Sequence, residues 1–273
     1  MKIVSFNVNS VRMRQHQLQA LVDQYQPDII GLQETKVQDH EFPLLDIESL
    51  GYKAEYFGQK THYGVALLYK PHLTLTALQK GWKTDTDDAQ RRMIIGDFTT
   101  VKGEKIRVLN GYFPQGESRD HPIKFPAKQA FYADLMTYLK HECSPQQNLV
   151  VMGDFNISPQ DIDIGIGEAN RLRWLKTGKT SFLPEEREWW QTLMDWGLFD
   201  TYRKIHPQSN DRFSWFDYRS KGFEDEPKRG LRIDTILASA SAYAHVTDSD
   251  IAYDVRGLEK PSDHAPVWTN FDL

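Results

Sequence analysis

Apolar and polar positions fall in short blocks along this chain, and the period of the blocks keeps changing. Lys2 to Val8 reads as a strand running into Asn7-Val8-Asn9. Leu18, Leu21, Val22 and Tyr25 then recur at helical spacing until Pro27 stops the helix. Asp28-Ile29-Ile30-Gly31-Leu32-Gln33-Glu34 predicts a second buried strand, ending in a carboxylate. Tyr52 to Phe57 and Val65 to Tyr69 predict a strand pair across a Gly-containing turn, and Leu73 to Leu78 another strand. Arg92 to Thr99 and Ile106 to Phe113 predict a hairpin whose second strand runs into the loop residues Pro114-Gln115-Gly116.

Pro126 opens a helix with Ala127, Phe131, Leu135, Tyr138 and Leu139 as its apolar stripe. Leu149-Val150-Val151-Met152 is a buried strand with Gly153 at its end. The strand period of two puts Asp154 and Asn156 on one face just beyond. Ser158 to Thr180 is polar and predicts loop with short helix, and Trp189 to Trp196 a helix closed by Gly197. Phe213 to Tyr218, Leu231 to Ala238, His245 to Tyr253 and Ala265 to Phe271 supply the last strands. A dozen strands against three or four solid helices is too many for a simple doubly wound sheet. The pattern predicts an α/β arrangement of two packed sheets with helices outside, each half of the chain building mainly one sheet.

The 273 residues, 40% hydrophobic and 26% charged, suffice for one large core, and no linker divides them, so residues 1–273 are expected to form a single domain. Apolar runs are too short for a transmembrane helix, and Met1 to Asn7 lacks the features of a signal peptide. Cys143 is the only cysteine, which points to a reducing compartment, the cytoplasm. A net charge of −5 argues against a passive nucleic-acid binder but not against a nucleic-acid enzyme with acids gathered at a metal. Basic clusters at Arg91-Arg92, Arg119 to Lys128, Arg171 to Lys179, Arg212 to Lys221 and Lys228 to Arg232 each read, taken singly, as ordinary solvated faces.

Polar residues that a strand interior would not favour stand at Asn7, Glu34, Tyr112, Asp154 with Asn156, Asp234 and Asp263-His264. Each has a plain alternative. Glu34 reads also as an exposed charge, Tyr112 as an edge aromatic, and Asp154 and Asn156 as turn formers. Asp234 reads also as a buried partner of Arg232, and Asp263-His264 as a capping turn. Taken together, they offer hard oxygen ligands suited to Mg²⁺ or Mn²⁺ and not to zinc. No P-loop, Gly-x-Gly-x-x-Gly or Gly-x-Ser-x-Gly stretch is present. A divalent ion, a His-Asp pair and a carboxylate-amide pair fit attack of water on a phosphate ester.

Six motifs then occur in order: Ser5-Phe6-Asn7-Val8-Asn9, Leu32-Gln33-Glu34-Thr35-Lys36, Asn110-Gly111-Tyr112-Phe113-Pro114-Gln115-Gly116-Glu117, Gly153-Asp154-Phe155-Asn156-Ile157-Ser158, Arg229-Gly230-Leu231-Arg232-Ile233-Asp234 and Ser262-Asp263-His264-Ala265-Pro266. By these the chain resembles the endonuclease/exonuclease/phosphatase superfamily. Arg119 to Phe125 and Phe213 to Ser220 resemble its exonuclease III branch of abasic-site endonucleases. The resemblance implies a four-layered α/β sandwich and a Mg²⁺-dependent nuclease, with Mn²⁺ as substitute and one or two ions bound. It implies Glu34 as the main metal ligand with Asn7 and Asp263 nearby, and Asp154 and Asn156 at a second ion. Asp154 would activate or position water, Asn156 would orient Asp154 and the phosphate, and His264, held by Asp234, would meet the phosphate or take the proton. Tyr112 would contact the phosphate or leaving group. Phe213, Trp215 and Leu231 would form the pocket for a baseless sugar. Arg92, Arg119, Lys124, Arg171, Arg173 and Lys176 would hold phosphates. The implied partner is double-stranded DNA with abasic sites or blocked 3′ ends, with no membrane and the protein a monomer. The alternatives are a phosphoesterase of a phosphoinositide or other non-DNA substrate, and a non-catalytic scaffold. The chain departs from the family at Asn9, where many eukaryotic relatives carry Asp, and at Ser10, where Gly is usual.

Overall fold

A computed structural model describes residues 1–273. In chain order it runs β1 (Lys2–Asn7), α1 (Gln15–Tyr25), β2 (Ile29–Gln33), α2 (Leu44–Ser49), β3 (Lys53–Phe57), β4 (Val65–Tyr69), β5 (Thr74–Lys80), β6 (Met93–Thr99), β7 (Lys105–Tyr112) and α3 (Lys124–Glu142). It continues with β8 (Leu149–Asp154), α4 (Glu168–Thr177), α5 (Pro184–Trp196), β9 (Leu198–Asp200), α6 (Thr201–Ile205), β10 (Asp234–Ser239), α7 (Ala240–Ala244), β11 (Val246–Ile251), α8 (Tyr253–Arg256) and β12 (Val267–Phe271). The strands form two six-stranded mixed sheets, ordered β11-β12-β1-β2-β4-β3 and β5-β6-β7-β8-β10-β9.

The sheets do not divide the chain into halves. The middle of the chain builds one sheet, and both ends build the other. β2 pairs with β1 in parallel along one edge, which leaves the other edge of β1 open, and β12 fills it antiparallel. Hydrogen-bonding demand on a buried strand explains this: β1 is covered on both faces, so an unpaired edge would leave its backbone groups without partners.

Between the sheets, Ile3, Ile29, Val65 and Leu67 pack against Ile94, Val108, Val150, Met152 and Ile236. Outside the first sheet, Leu18, Leu21 and Val22 of α1 cover Val4, Phe6, Ile30 and Leu32. Outside the second, Phe131, Leu135 and Leu139 of α3 and Trp190 and Leu193 of α5 cover Leu109, Val151 and Phe155. These are the four layers, and each fully buried large side chain contributes about 1.5–3 kcal/mol. One polar lock crosses the apolar seam. Asn110 of β7 donates to the carbonyls of Leu32 and Ala66 in the opposite sheet, both at 2.9 Å, and accepts from Gln33 at 2.6 Å. It fixes the end of β2 against the end of β7.

Local differences from the expected elements have identifiable causes. Helix α3 begins at Lys124, two residues before Pro126, because proline is tolerated in a first turn that uses no N–H. Helix α5 begins at Pro184, and its first-turn Glu186 accepts the backbone N–H groups of Ser181 and Leu183. The polar segment after Ser158 contains the ten-residue α4. Phe213 to Tyr218 is not a strand; Trp215 makes only isolated bridges to Leu231 and His264. No helix is long and apolar enough to cross a membrane.

Candidate active site

The polar strand ends converge because of strand direction. β1 and β2 run parallel, as do β7 and β8, so Asn7, Gln33, Tyr112 and Asp154 finish on the same side. Across β7, β8 and β10, Tyr112, Asp154 and Asp234 are direct neighbours in register. Gly153 does not end its strand. A side chain there would meet the Gly111 carbonyl at 1.8 Å, so a glycine lets the two parallel strands approach and carry Asp154 to the rim.

Asn7 bridges the two sheets. Its Nδ2 donates to Glu34 Oε1 at 2.9 Å and to Asp154 Oδ2 at 3.0 Å, while its oxygen accepts the Asn9 N–H at 3.1 Å. Asn7 thus meets the cluster through its amide nitrogen, and its oxygen is turned to the Asn9 backbone. Lys36 Nζ lies 3.1 Å from the other Glu34 oxygen and donates to Asn9 Oδ1 at 2.6 Å. Asn9 and Ser10 both take left-handed φ, and the Ser10 N–H donates to the Glu34 carbonyl at 2.8 Å. Serine adopts at some strain the turn a glycine would adopt freely.

The turn reading and the site reading of Asp154 and Asn156 hold together. Asp154 Oδ1 accepts the Asn156 N–H at 3.0 Å, an Asx turn, and Asn156 sits at φ 51. That φ ends the strand period, so the side chain of Asn156 turns to donate to the Phe113 carbonyl at 2.9 Å. His264 places Nδ1 2.8 Å from Asp234 and Nε2 3.8 Å from Asp154 Oδ2. Asp234 therefore faces His264, while Arg232 pairs with Asp163 and Asp200 instead. The two oxygens of Asp263 accept from Asn9 Nδ2 at 3.0 Å and Trp215 Nε1 at 3.1 Å.

Glu34, Asp154 and His264 offer ligand atoms all within 4.8 Å of one another, with Asp263 outside that cluster. Crowded acids without a cation hold protons. Burial, then the charges of Asp234 and Glu34, push Asp154 up to about 8 against the pull of His264. Burial opposes charge on His264, but Asp234, Asp154 and Asp263 outweigh it and raise the imidazole to about 10. Burial and the charges of Glu34 and Asp154 hold the Tyr112 phenol well above its ordinary value, so it stays a neutral donor. Hard oxygen donors in a cluster this electronegative fit a small divalent cation.

A cavity of about 190 Å³ opens over these groups, with Trp174, Trp215, Leu231 and Ile233 as apolar walls and Gln115, Lys179 and Ser181 on its rim. Phe213 is not part of that wall; it is buried against Gly165. Trp174 replaces it from α4, stacked on Phe182 at 5.6 Å with Lys179 Nζ 3.8 Å above the ring. Ile233 follows Leu231 at strand spacing, a signal present in the sequence; Trp174 carried none, since its helix lies in a polar segment. Arg92 is buried at 9% exposure, its guanidinium between the rings of Tyr63 and Tyr112 at 4.7 and 4.6 Å. It backs Tyr112 and is not on the surface. Arg119, Lys124 and Arg171 lie at or near the surface, paired with Glu185, Glu117 and Glu168. Such pairs are worth about 0–1 kcal/mol, so a phosphate can replace the acid at little cost.

Two helix-covered sheets with an acidic, histidine-bearing pocket at their common edge define a hydrolase of the phosphoesterase kind. The Endonuclease/Exonuclease/phosphatase family pattern matches residues 4–264, and the chain belongs to that family. It is 56% identical to exodeoxyribonuclease III of Haemophilus influenzae over 99% of this chain and all of that one. Among solved structures it is similar to a 3′-5′ exonuclease from Neisseria meningitidis, 38% identical, and to an AP endonuclease from Archaeoglobus fulgidus, 31% identical. Both superpose with a TM-score of 0.88 over the whole of both chains.

Proposed function

We propose that the protein is a Mg²⁺-dependent DNA repair nuclease that cuts duplex DNA at abasic sites and removes nucleotides or blocking groups from 3′ ends. The observation that carries this is the convergence of Glu34, Asp154 and His264 within 4.8 Å, beneath an apolar cavity of about 190 Å³. The apolar walls of that cavity suit a sugar without its base, and unstacking is least costly where the base is gone. The relatives named above act in DNA cleavage, which supports the substrate class.

Glu34 and Asp154 would hold the ion, with Asn7 tying the two carboxylates together through its amide nitrogen. When bound, the ion supplies positive charge to the phosphoryl oxygens and leaving group. Asp154, fixed on Oδ1 by the Asn156 N–H and on Oδ2 by the Asn7 amide, positions the attacking water or takes its proton. His264 is held as an imidazolium by Asp234 and directs its Nε2 proton at a phosphate oxygen. Tyr112, neutral and backed by Arg92, donates to the phosphate or the leaving oxygen. Trp174, Trp215, Leu231 and Ile233 enclose the sugar and exclude water. Arg119, Lys124, Arg171, Arg173 and Lys176 take phosphates on either side, so binding weakens with salt. The enzyme works as a monomer in the cytoplasm, in keeping with the unpaired Cys143. Cleavage of four duplexes (blunt, abasic, 3′-phosphate and RNA·DNA hybrid) with Mg²⁺ or EDTA tests the assignment. Cutting of the abasic and 3′-blocked duplexes only with Mg²⁺ is expected; no cutting of any of the four with Mg²⁺ would overturn it.

A further inference from the structure

Lys128 and Glu186 form an ion pair in which neither side chain reaches solvent. An ammonium has three donors and no acceptor. Lys128 directs its Nζ at the Asn156 carbonyl at 2.8 Å, the Gln115 carbonyl at 3.3 Å and Glu186 Oε1. Glu186 Oε2 accepts the N–H groups of Ser181 and Leu183, each at 2.8 Å. The pair therefore touches three separate loops, and each contributes a residue to the catalytic cavity: Asn156, Gln115 and Ser181. One turn further along α3, the Tyr132 hydroxyl donates to the Phe155 carbonyl at 2.6 Å. Two consecutive carbonyls of the Asp154-Phe155-Asn156 turn are thus pinned from behind by the same helix.

Stability alone does not account for this arrangement. A buried ion pair is often replaced by apolar residues of similar volume with little loss of stability. An apolar pair would fill the space but leave the Asn156 carbonyl without its donor and the Ser181 and Leu183 N–H groups without their acceptor, while the Gln115 carbonyl would keep the Thr180 hydroxyl at 2.7 Å. The turn it backs carries Asn156 at φ 51, a strained conformation that persists only where its surroundings hold it. The direction of the Asp154 carboxylate depends on that turn, because its Oδ1 accepts the Asn156 N–H.

We propose that Lys128 and Glu186 are positioning residues for phosphodiester hydrolysis: the buried pair, with Tyr132 beside it, anchors the Asp154–Asn156 turn so that Asp154 faces its water in register with the phosphate. This rests on the nuclease function proposed above. Neither side chain touches substrate. Displacement of a reacting group by about 1 Å is enough to lower the rate on the order of a hundredfold.

The test compares wild type, the double variant Lys128→Met/Glu186→Leu, and Tyr132→Phe, which removes a single hydroxyl. The first readout is turnover of an abasic duplex at saturating Mg²⁺. In the double variant kcat falls by about 10- to 100-fold and KM for DNA stays within about threefold, while Tm drops by no more than the unpaired backbone groups cost and the protein remains folded at the assay temperature. Tyr132→Phe lowers kcat by a smaller factor, again at constant KM. The second readout needs no turnover: amide hydrogen exchange at Phe155 and Asn156 becomes faster in both variants, while Val150 to Met152 remain protected. Variants with wild-type kcat, or with unchanged exchange at Phe155 and Asn156, would overturn the proposal. Should the double variant not fold, Tyr132→Phe alone decides by the same two readouts. An inactive wild type with the expected exchange pattern would count against the nuclease function and not against the anchor.

Discussion

His264 stands between two carboxylates, with Nδ1 2.8 Å from Asp234 and Nε2 3.8 Å from Asp154. The nearer acid fixes which nitrogen carries the inward proton, and the farther one shares the space where a phosphate must sit. Asp234→Asn keeps the shape but removes the charge that favours an imidazolium. Its kcat on an abasic duplex is expected to fall by about 10²–10⁴, the range of a lost general acid or base, with a smaller change in KM. An NMR titration of His264 should show its pKa dropping in the same variant.

Removing the ion has a defined pH signature. Asp154 and His264 bind protons more tightly folded than unfolded, so their contribution to stability is full below the ordinary values of 3.8 and 6.5. It is lost as pH rises through about 8 for Asp154 and about 10 for His264. In EDTA, Tm should therefore decline with rising pH across this range, and Mg²⁺ should flatten the decline. Mg²⁺ added to ion-free protein in weak buffer near pH 7 should release protons, and Glu34→Gln should diminish that release.

At Asp163 the sign is opposite. Burial alone would raise its carboxyl, but Arg232 and Arg203 pull it below its ordinary value. That stability is present above the ordinary value of 3.8 and is lost as pH falls through the lower folded value. Asp163→Asn leaves Arg232, 1% exposed, short of a partner. A loss of about 3–5 kcal/mol is expected in urea unfolding, with the acid limb of the stability profile flattened.

Trp174 and Trp215 both line the cavity and belong to one apolar cluster with Leu231 and Ile233. Trp174→Ala should admit an intact nucleotide more readily. The ratio of kcat/KM for an abasic duplex over a normal 3′ end should fall by about tenfold, in the range that apolar pocket contacts provide. An unchanged ratio would remove Trp174 from substrate choice.

How much of this was legible beforehand differs by residue. Polar groups at the ends of apolar runs were visible, and Glu34, Tyr112, Asp154, Asn156, Asp263 and His264 do line one cavity. Their convergence follows from the parallel pairing of β1 with β2 and of β7 with β8, which apolar periodicity does not reveal. The partition into sheets was not legible, because the pairing of β12 with β1 joins residues more than 260 positions apart and leaves no local trace. Residue type also did not reveal facing. Arg92 and Phe213 looked like a phosphate ligand and a pocket wall, yet stacking on Tyr112 and packing on Gly165 turn both inward. Burial of Lys128 was equally hidden, since a lysine on an amphipathic helix is normally solvated.

The pairing of the first strand with the last has a consequence for truncation. The Ser262 hydroxyl donates to the Asn7 carbonyl at 2.6 Å, and His264 follows two residues later. A chain cut before β12 still contains every strand of the β5-β6-β7-β8-β10-β9 sheet but not the antiparallel partner of β1. A polypeptide that stops short of Ser262 would therefore lack both the edge partner of β1 and the histidine of the cluster, and with them a working cutting centre.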